Sequence, residues 1–143
     1  MKKALSLLFA LSMALVLCAC GQTEAAKHAD ETIAAIGQVT ESSLRQIEKA
    51  EEEVTSLSEK EAKSLRNLDA LREARSEYNE LLAAKLEEQI SILSELDFYS
   101  GDTITQIREE YETMSDEVKS LVSNYDVLEK AEAALPAIRA DVV

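Results

Sequence analysis

Residues 68–97 read LDALREARSEYNELLAAKLEEQISILSELD, and this stretch decides the fold. Its apolar residues recur every three or four positions, which is the period of one face of an α-helix. These residues are Leu68, Leu71, Ala74, Tyr78, Leu82, Leu86, Ile90, Leu93 and Leu96. Because the stretch contains neither proline nor glycine, it predicts one uninterrupted helix about 45 Å long.

The flanking sequence also favours helices. After residue 20, glycine occurs only at 21, 37 and 101 and proline only at 136, and the chain has no tryptophan. Ala, Leu, Glu and Ser are abundant, and a composition of this kind is typical of all-α proteins. We therefore predict an antiparallel helical bundle, with the helix over 68–97 at its centre.

Turn and cap residues divide the rest of the chain. Gly37 should end a first helix that begins near Asp30, because glycine adopts the left-handed cap most easily. Ser43, Ser58 and Thr103 are each followed three residues later by Gln or Glu, which is the capping-box pattern of a helix start. Asn67 can cap the long helix.

The chain contains an internal repeat at an offset of 57 residues. Eight of the 28 positions from 47 to 74 are identical to the positions 57 residues later, where about two would be expected by chance. The matched residues are Ile47, Glu52, Glu53, Ser58, Asn67, Asp69, Leu71 and Ala74. We predict two related helical units over about 33–74 and 104–135, although Ser94, which matches Gly37, falls inside the predicted long helix.

Two short segments of the sequence resemble parts of known modules. The first is Ile36-Gly37-Gln38-Val39-Thr40, and the second is the segment 121–132 (LVSNYDVLEKAE). They are similar to the first and last sequence motifs of small three-helix modules that are repeated in extracellular proteins of Gram-positive bacteria. The resemblance covers about residues 33–74 and 104–135. It implies a non-catalytic role as a spacer or adhesive accessory.

The amino terminus has the form of an export signal. Lys2 and Lys3 precede an uncharged, mainly apolar run of 14 residues from Ala4 to Leu17, and two cysteines follow. A helix needs roughly 20 apolar residues to cross the hydrocarbon core, so the run is too short for a permanent span. We predict that residues 1–19 are a signal peptide.

The cleavage region resembles the lipobox of bacterial lipoproteins. It reads Leu17-Cys18-Ala19-Cys20-Gly21, with an aliphatic residue and a small residue at the positions that this family uses before its cysteine. The resemblance implies that signal peptidase recognises Leu17 and Ala19, and that Cys20 carries a diacylglyceryl group. Cys18 is the alternative, but it would place bulky Leu17 beside the cut. Residues 20–29 would then form a lipidated, flexible tether before a helical domain over 30–143.

The net charge of the chain limits the molecules that it can bind. Removal of residues 1–19 takes away two lysines and no acidic residue, which changes the net charge from −13 to −15. Nucleic acid is excluded as a partner, since phosphate binding needs a basic face. Attachment to the extracytoplasmic face of a membrane must come from the lipid on Cys20, because two acyl chains anchor stably. A protein partner in the cell envelope would be expected to be basic, and the alternative is that the acidic charge only keeps the protein soluble.

The residues offer no catalytic, metal or cofactor site. His28 is the only histidine and falls in the predicted tether, so neither a catalytic triad nor a His/Cys metal site can be assembled. Acidic runs at 51–53, 87–88 and 109–110 lack the alternating oxygen ligands and glycine of a calcium loop. They indicate solvated helix faces, and Tyr111 and Tyr125 indicate packing positions.

Phe98 and Tyr99, at the predicted tip of the long helix, are the candidate contact for a partner, because exposed aromatic residues often dominate binding energy. The alternative is that they pack their loop onto the bundle. The sequence favours a non-enzymatic, lipid-anchored envelope protein that acts as a binding, spacer or assembly module. An accessory subunit of a membrane transport or secretion complex is the alternative, and an enzyme acting on cell wall or lipid is disfavoured.

Overall fold

The computed structural model describes residues 21–94 and 100–140, which form helices joined by short turns. In chain order the helices are α1 (Glu24–Ala34), α2 (Leu44–Ser56), α3 (Glu59–Ala62), α4 (Leu68–Ser91), α5 (Ser100–Thr113), α6 (Asp116–Leu121) and α7 (Tyr125–Ala140). The predicted all-α bundle with a long central helix is confirmed. No helix within the described ranges combines the length and the apolar character needed to cross a membrane.

The first helix begins at Glu24, six residues before the predicted start at Asp30. The Thr23 hydroxyl caps it by accepting the amide N–H of Ala26 at 3.2 Å. Ala26 and Ala29 are buried, with 0% and 1% of their surface exposed. The predicted flexible tether over 20–29 is therefore wrong from Glu24 onwards, because two small apolar residues pack this segment into the bundle.

Two of the three predicted capping boxes are wrong. The Ser58 box is present, with reciprocal bonds between Ser58 and Glu61. The box at the start of α2 instead joins Thr40 to buried Ser43 across a 3-10 turn over Glu41–Ser43. Thr103 lies inside α5, which begins three residues earlier at Ser100, and therefore caps nothing.

The central helix α4 has 24 residues and is followed by a 3-10 turn over Ile92–Ser94. It ends earlier than the predicted residue 97. Ser94 therefore lies in the 3-10 turn that follows α4, and not inside the helix. Gly37 has the positive φ of 62° that its predicted role as a cap requires.

Two apolar cores lie along α4, and their residues are related by the 57-residue repeat. The first contains Ile33, Ile36, Ile47, Ala50, Leu71, Ala74 and Tyr78. Adding 57 to each number gives Ile90, Leu93, Ile104, Ile107, Leu128, Ala131 and Leu135, which belong to the second core. The first unit thus consists of α1, α2, α3 and the first half of α4, while the second consists of the rest of α4 with α5, α6 and α7.

The two units stack along the shared helix. Asp30 of α1 is bonded to Asn67 at the start of α4, and the matching Glu87 within α4 is bonded to Asn124 before α7. Twenty residues of α4 separate Asn67 from Glu87, which corresponds to a rise of about 30 Å. The repeat therefore makes an elongated molecule with a step of about 30 Å per unit.

Candidate functional site

The chain enters the first unit at a face that we call the base, defined as residues 21–28 and 57–67. These residues are the start of α1 together with α3 and its flanking turns. Thr23 Oγ1 donates to Glu61 Oε1 at 2.9 Å, and Gln22 Nε2 donates to the carbonyl oxygen of Ser64 at 2.6 Å. The two residues that follow Gly21 are therefore fastened directly to α3 and to the turn after it.

A buried carboxylate holds the base to α4. Asp30 is only 7% exposed. Its side chain accepts the backbone N–H groups of Arg66 at 3.0 and 3.1 Å and of Asn67 at 3.0 Å, and the side-chain amide of Gln22 at 2.5 Å. The Asn67 side chain donates back to the carbonyl oxygen of Asp30 at 3.1 Å. We call these four residues the Asp30 network.

The Asp30 network keeps its carboxylate ionised. Burial by itself raises the pKa of Asp30, but the hydrogen bonds from Gln22, Asn67 and Arg66, with the positive charge of Arg66, outweigh burial and lower the pKa overall. A buried charge is tolerated only when its lone pairs are satisfied in this way. At neutral pH the network therefore joins α1 to the start of α4 through an ionised carboxylate.

The second unit has a counterpart of this joint. The Glu87 carboxylate accepts both the N–H and the hydroxyl of Ser123 at 2.6 Å, and Asn124 Nδ2 donates to the Glu87 carbonyl oxygen at 2.9 Å. Glu87 and Asn124 lie 57 residues after Asp30 and Asn67. The joint is thus a property of the repeat, whereas the link to an entering chain through Gln22 is specific to the first unit.

The second unit carries a cluster of aromatic and charged side chains. The rings of Tyr111 and Tyr125 are stacked, with their centroids 4.6 Å apart. The Arg108 guanidinium lies 5.2 Å from the Tyr125 centroid and forms a two-point ion pair with Glu132, with both distances at 2.5 Å. Lys119 Nζ lies 5.4 Å from the Tyr111 centroid. We call these residues the tyrosine cluster.

The tyrosine cluster has perturbed proton affinities. Burial and the neighbouring Tyr125 raise the pKa of Tyr111. The hydrogen bonds that Arg108 donates to Glu132, Tyr125 and Glu112 raise the pKa of Arg108, despite some burial. Both tyrosines are half-buried and pack on the second core, which agrees with their predicted role in packing. Their outer surfaces remain accessible to a partner.

The first unit has no such cluster at the matching positions. Tyr111 corresponds to Val54, Tyr125 to Leu68 and Lys119 to Ala62. The same helical unit is thus built with aliphatic residues at these three places. Aromatic rings and cations are therefore not required by the fold, and this makes the cluster the better candidate for a contact surface among the described residues.

The grooves of the described surface are open and shallow. One of about 340 Å³ lies between α1 and α2 beside His28, Thr32 and Gln46. Another of about 480 Å³ lies where Val39 approaches Leu81 of α4. Among the described residues, no three His, Cys, Asp or Glu side chains are grouped so that they could hold a metal ion.

The predicted site residues lie outside the described residues. This applies to Leu17, Ala19 and Cys20 of the lipobox, and to Phe98 and Tyr99. The sequence reasoning missed the Asp30 network. Its signal was present in the repeat, because the 57-residue offset pairs acidic Asp30 with acidic Glu87 as well as Asn67 with Asn124.

Comparisons with protein-family models, with curated proteins and with solved structures give no significant match.

Proposed function

We propose that this protein is a non-enzymatic lipoprotein of the cell envelope, held on the extracytoplasmic face of a membrane by a lipid on Cys20. It acts as a spacer, binding or assembly module. The observation that carries the proposal is the pair of stacked units sharing α4, because a continuous helix transmits a fixed separation between its two ends.

The described surface supports a spacer more than an enzyme. The buried or multiply bonded groups Asp30, Glu87 and Arg108 each join one helix to another segment of the bundle and do not line a common cleft. Enzyme sites usually combine a concave pocket with convergent polar groups. The grooves here are lined by side chains of neighbouring helices at the surface.

The anchor is tested by metabolic labelling with a radioactive or clickable fatty acid in cells. We expect the wild type and the Cys18→Ala variant to be labelled and recovered with membranes. The Cys20→Ala variant should be unlabelled and released, because it lacks the thiol to which we assign the lipid. Equal labelling of all three proteins would contradict the lipid anchor.

The role at the membrane is tested by crosslinking in intact cells, followed by identification of the captured neighbours by mass spectrometry. A subunit of a transport or secretion complex among them would favour the accessory-subunit alternative. The spacer role predicts instead that lengthening or shortening the molecule changes its effect in cells more than exchanging its surface residues does.

A binding role is favoured specifically by the tyrosine cluster, and the first unit supplies matched replacements. Tyr111→Val, Tyr125→Leu and Lys119→Ala each install the residue found 57 positions earlier. If the cluster is a contact surface, the combined variant should lose its crosslinked neighbour while retaining the helical circular dichroism spectrum. The exposed Arg72→Ala variant is the control. An unchanged crosslinking pattern in the combined variant would rule out this surface.

A further inference from the structure

We propose that the base is a membrane-facing surface that rests on anionic lipid headgroups and holds the molecule upright, with the second unit directed away from the bilayer. This inference rests on the proposed lipid anchor at Cys20. It adds an orientation and a lipid-contacting face, which the anchor alone does not specify.

The first argument is the length of chain between the anchor and the folded domain. Cys20 precedes Gln22 by two residues, and two fully extended residues span at most about 7 Å. Gln22 is already bonded to Asp30 and to Ser64. A lipid on Cys20 would therefore bring the base to the headgroup layer, and the domain could not swing on a long tether.

The second argument is the distribution of charge. The base carries four basic residues (Lys27, Lys60, Lys63 and Arg66) and three acidic ones (Glu24, Glu59 and Glu61). The rest of the mature chain has a net charge of −16. Juxtamembrane basic residues are attracted to anionic lipid, and acidic surfaces are repelled. Headgroup charge therefore favours contact through the base and disfavours a molecule that lies on its side.

The acidic residues of the base are also engaged within the protein. Glu24 pairs with Lys27 at 2.6 Å, and Glu59 pairs with Lys63 at 2.5 Å. Glu61 is bonded to Ser58 and Thr23. Lys60 and Arg66 are exposed, which leaves their charges open to lipid phosphates. The base is thus electrostatically distinct from the remainder of the molecule.

The experiment measures energy transfer from a dye on the lipidated full-length protein to acceptor lipids in phosphatidylcholine–phosphatidylglycerol vesicles. An introduced cysteine is the single free thiol once Cys20 is lipidated and Cys18 has left with the signal peptide. Ala25→Cys places the dye at the base without removing a charge, and Gln106→Cys places it on α5 of the second unit. Both side chains are exposed.

We expect the dye at 25 to be quenched about threefold more than the dye at 106, because the second unit stands about 30 Å farther along α4. Equal quenching at the two sites would overturn the upright orientation while leaving the lipid anchor intact. Fatty-acid labelling of the same sample reports the anchor separately, and an unlabelled chain would overturn both proposals.

A longer tether provides the matched control. Insertion of about ten Gly and Ser residues between Cys20 and Gly21 would give the anchor a flexible reach of roughly 15–20 Å. The difference in quenching between positions 25 and 106 should then decrease. An unchanged difference would show that the short connection does not set the orientation.

Discussion

Asp30 is a residue whose contribution to stability can be isolated. Replacement by Asn keeps the size of the side chain but removes the charge and replaces one accepting oxygen by an NH2 group, which cannot accept from Gln22 or from the backbone N–H of Arg66. We expect Asp30→Asn to lower the free energy of unfolding by about 1–3 kcal/mol at neutral pH. Urea unfolding followed by circular dichroism measures this loss. The neighbouring exposed Glu31→Gln variant should stay close to the wild type.

The difference in stability between the wild type and Asp30→Asn should depend on pH, because the pKa of Asp30 is lowered in the folded protein. A carboxylate with a lowered pKa in the folded state contributes stability above its unfolded pKa, here 3.8. That contribution is lost as the pH falls through the folded pKa. The difference between wild type and Asp30→Asn should therefore be constant from about pH 5 to 7 and shrink below about pH 4. A difference that grows on acidification would contradict this assignment.

At Gly37 the cost of backbone strain can be measured without a change in packing. Its φ is +62°, and a Cβ added there would meet no atom within 4 Å. Gly37→Ala should therefore destabilise by about 1 kcal/mol, solely because an L-residue resists this conformation. Gly21→Ala is the matched control, since its surroundings are also open and its φ is not positive. Equal stability of the two variants in thermal unfolding would show that the turn after α1 can relax.

At the scale of elements, the sequence predicts long periodic helices better than their ends. The apolar stripe of α4 could be predicted because Leu71, Tyr78 and Leu86 recur after seven and eight residues, which is about two helical turns each time. The start of α1 was missed because Ala26 and Ala29 are too small to give a strong apolar pattern, although both are buried. The Asp30 network was missed because a carboxylate in a polar segment is usually solvated, and only tertiary contacts with Arg66 and Asn67 bury it.

Two ion pairs with reversed polarity join matching helices in the two units. Glu51 of α2 pairs with Arg75 of α4 in the first unit, whereas Arg108 of α5 pairs with Glu132 of α7 in the second. These residues are related by the offset of 57. If helices were exchanged between the units, Glu51 would face Glu132 and Arg108 would face Arg75. Like charges at these positions disfavour the wrong pairing of repeated helices.

The combined variant Glu51→Arg with Arg75→Glu removes this discrimination while keeping an ion pair in each unit. We expect the stability of the monomer to change by less than about 1 kcal/mol, since the pair is partly exposed. After refolding at high concentration, size-exclusion chromatography should show more helix-exchanged dimer than for the wild type. Reversal of the exposed Asp126–Lys130 pair within α7 is the control. An unchanged dimer fraction would remove pairing specificity as the role of the reversed polarity.

At the scale of the whole molecule, the two units share more than the continuous backbone of α4. Leu82 packs against both cores. Lys85 in the second half of α4 reaches Glu41 of the first unit at 2.7 Å. Unfolding of either unit would therefore expose apolar surface of the other and break a contact across their junction. Nearest-neighbour coupling of this kind makes repeat units unfold together when the interface is strong.

Matched core truncations test this coupling. Ile47 and Ile104 occupy equivalent positions in the two cores and are 0% and 1% exposed. Each change to Ala should lower stability by about 2–5 kcal/mol. Because of the shared α4, Ile47→Ala should also accelerate hydrogen exchange in α7, and Ile104→Ala should accelerate it in α2, as measured by mass spectrometry of proteolytic fragments. If faster exchange stays within the mutated unit, the units unfold separately, and the separation between base and far end would not be rigid. Reciprocal acceleration instead means that the two units unfold together, so that the separation between base and far end persists until the whole molecule unfolds.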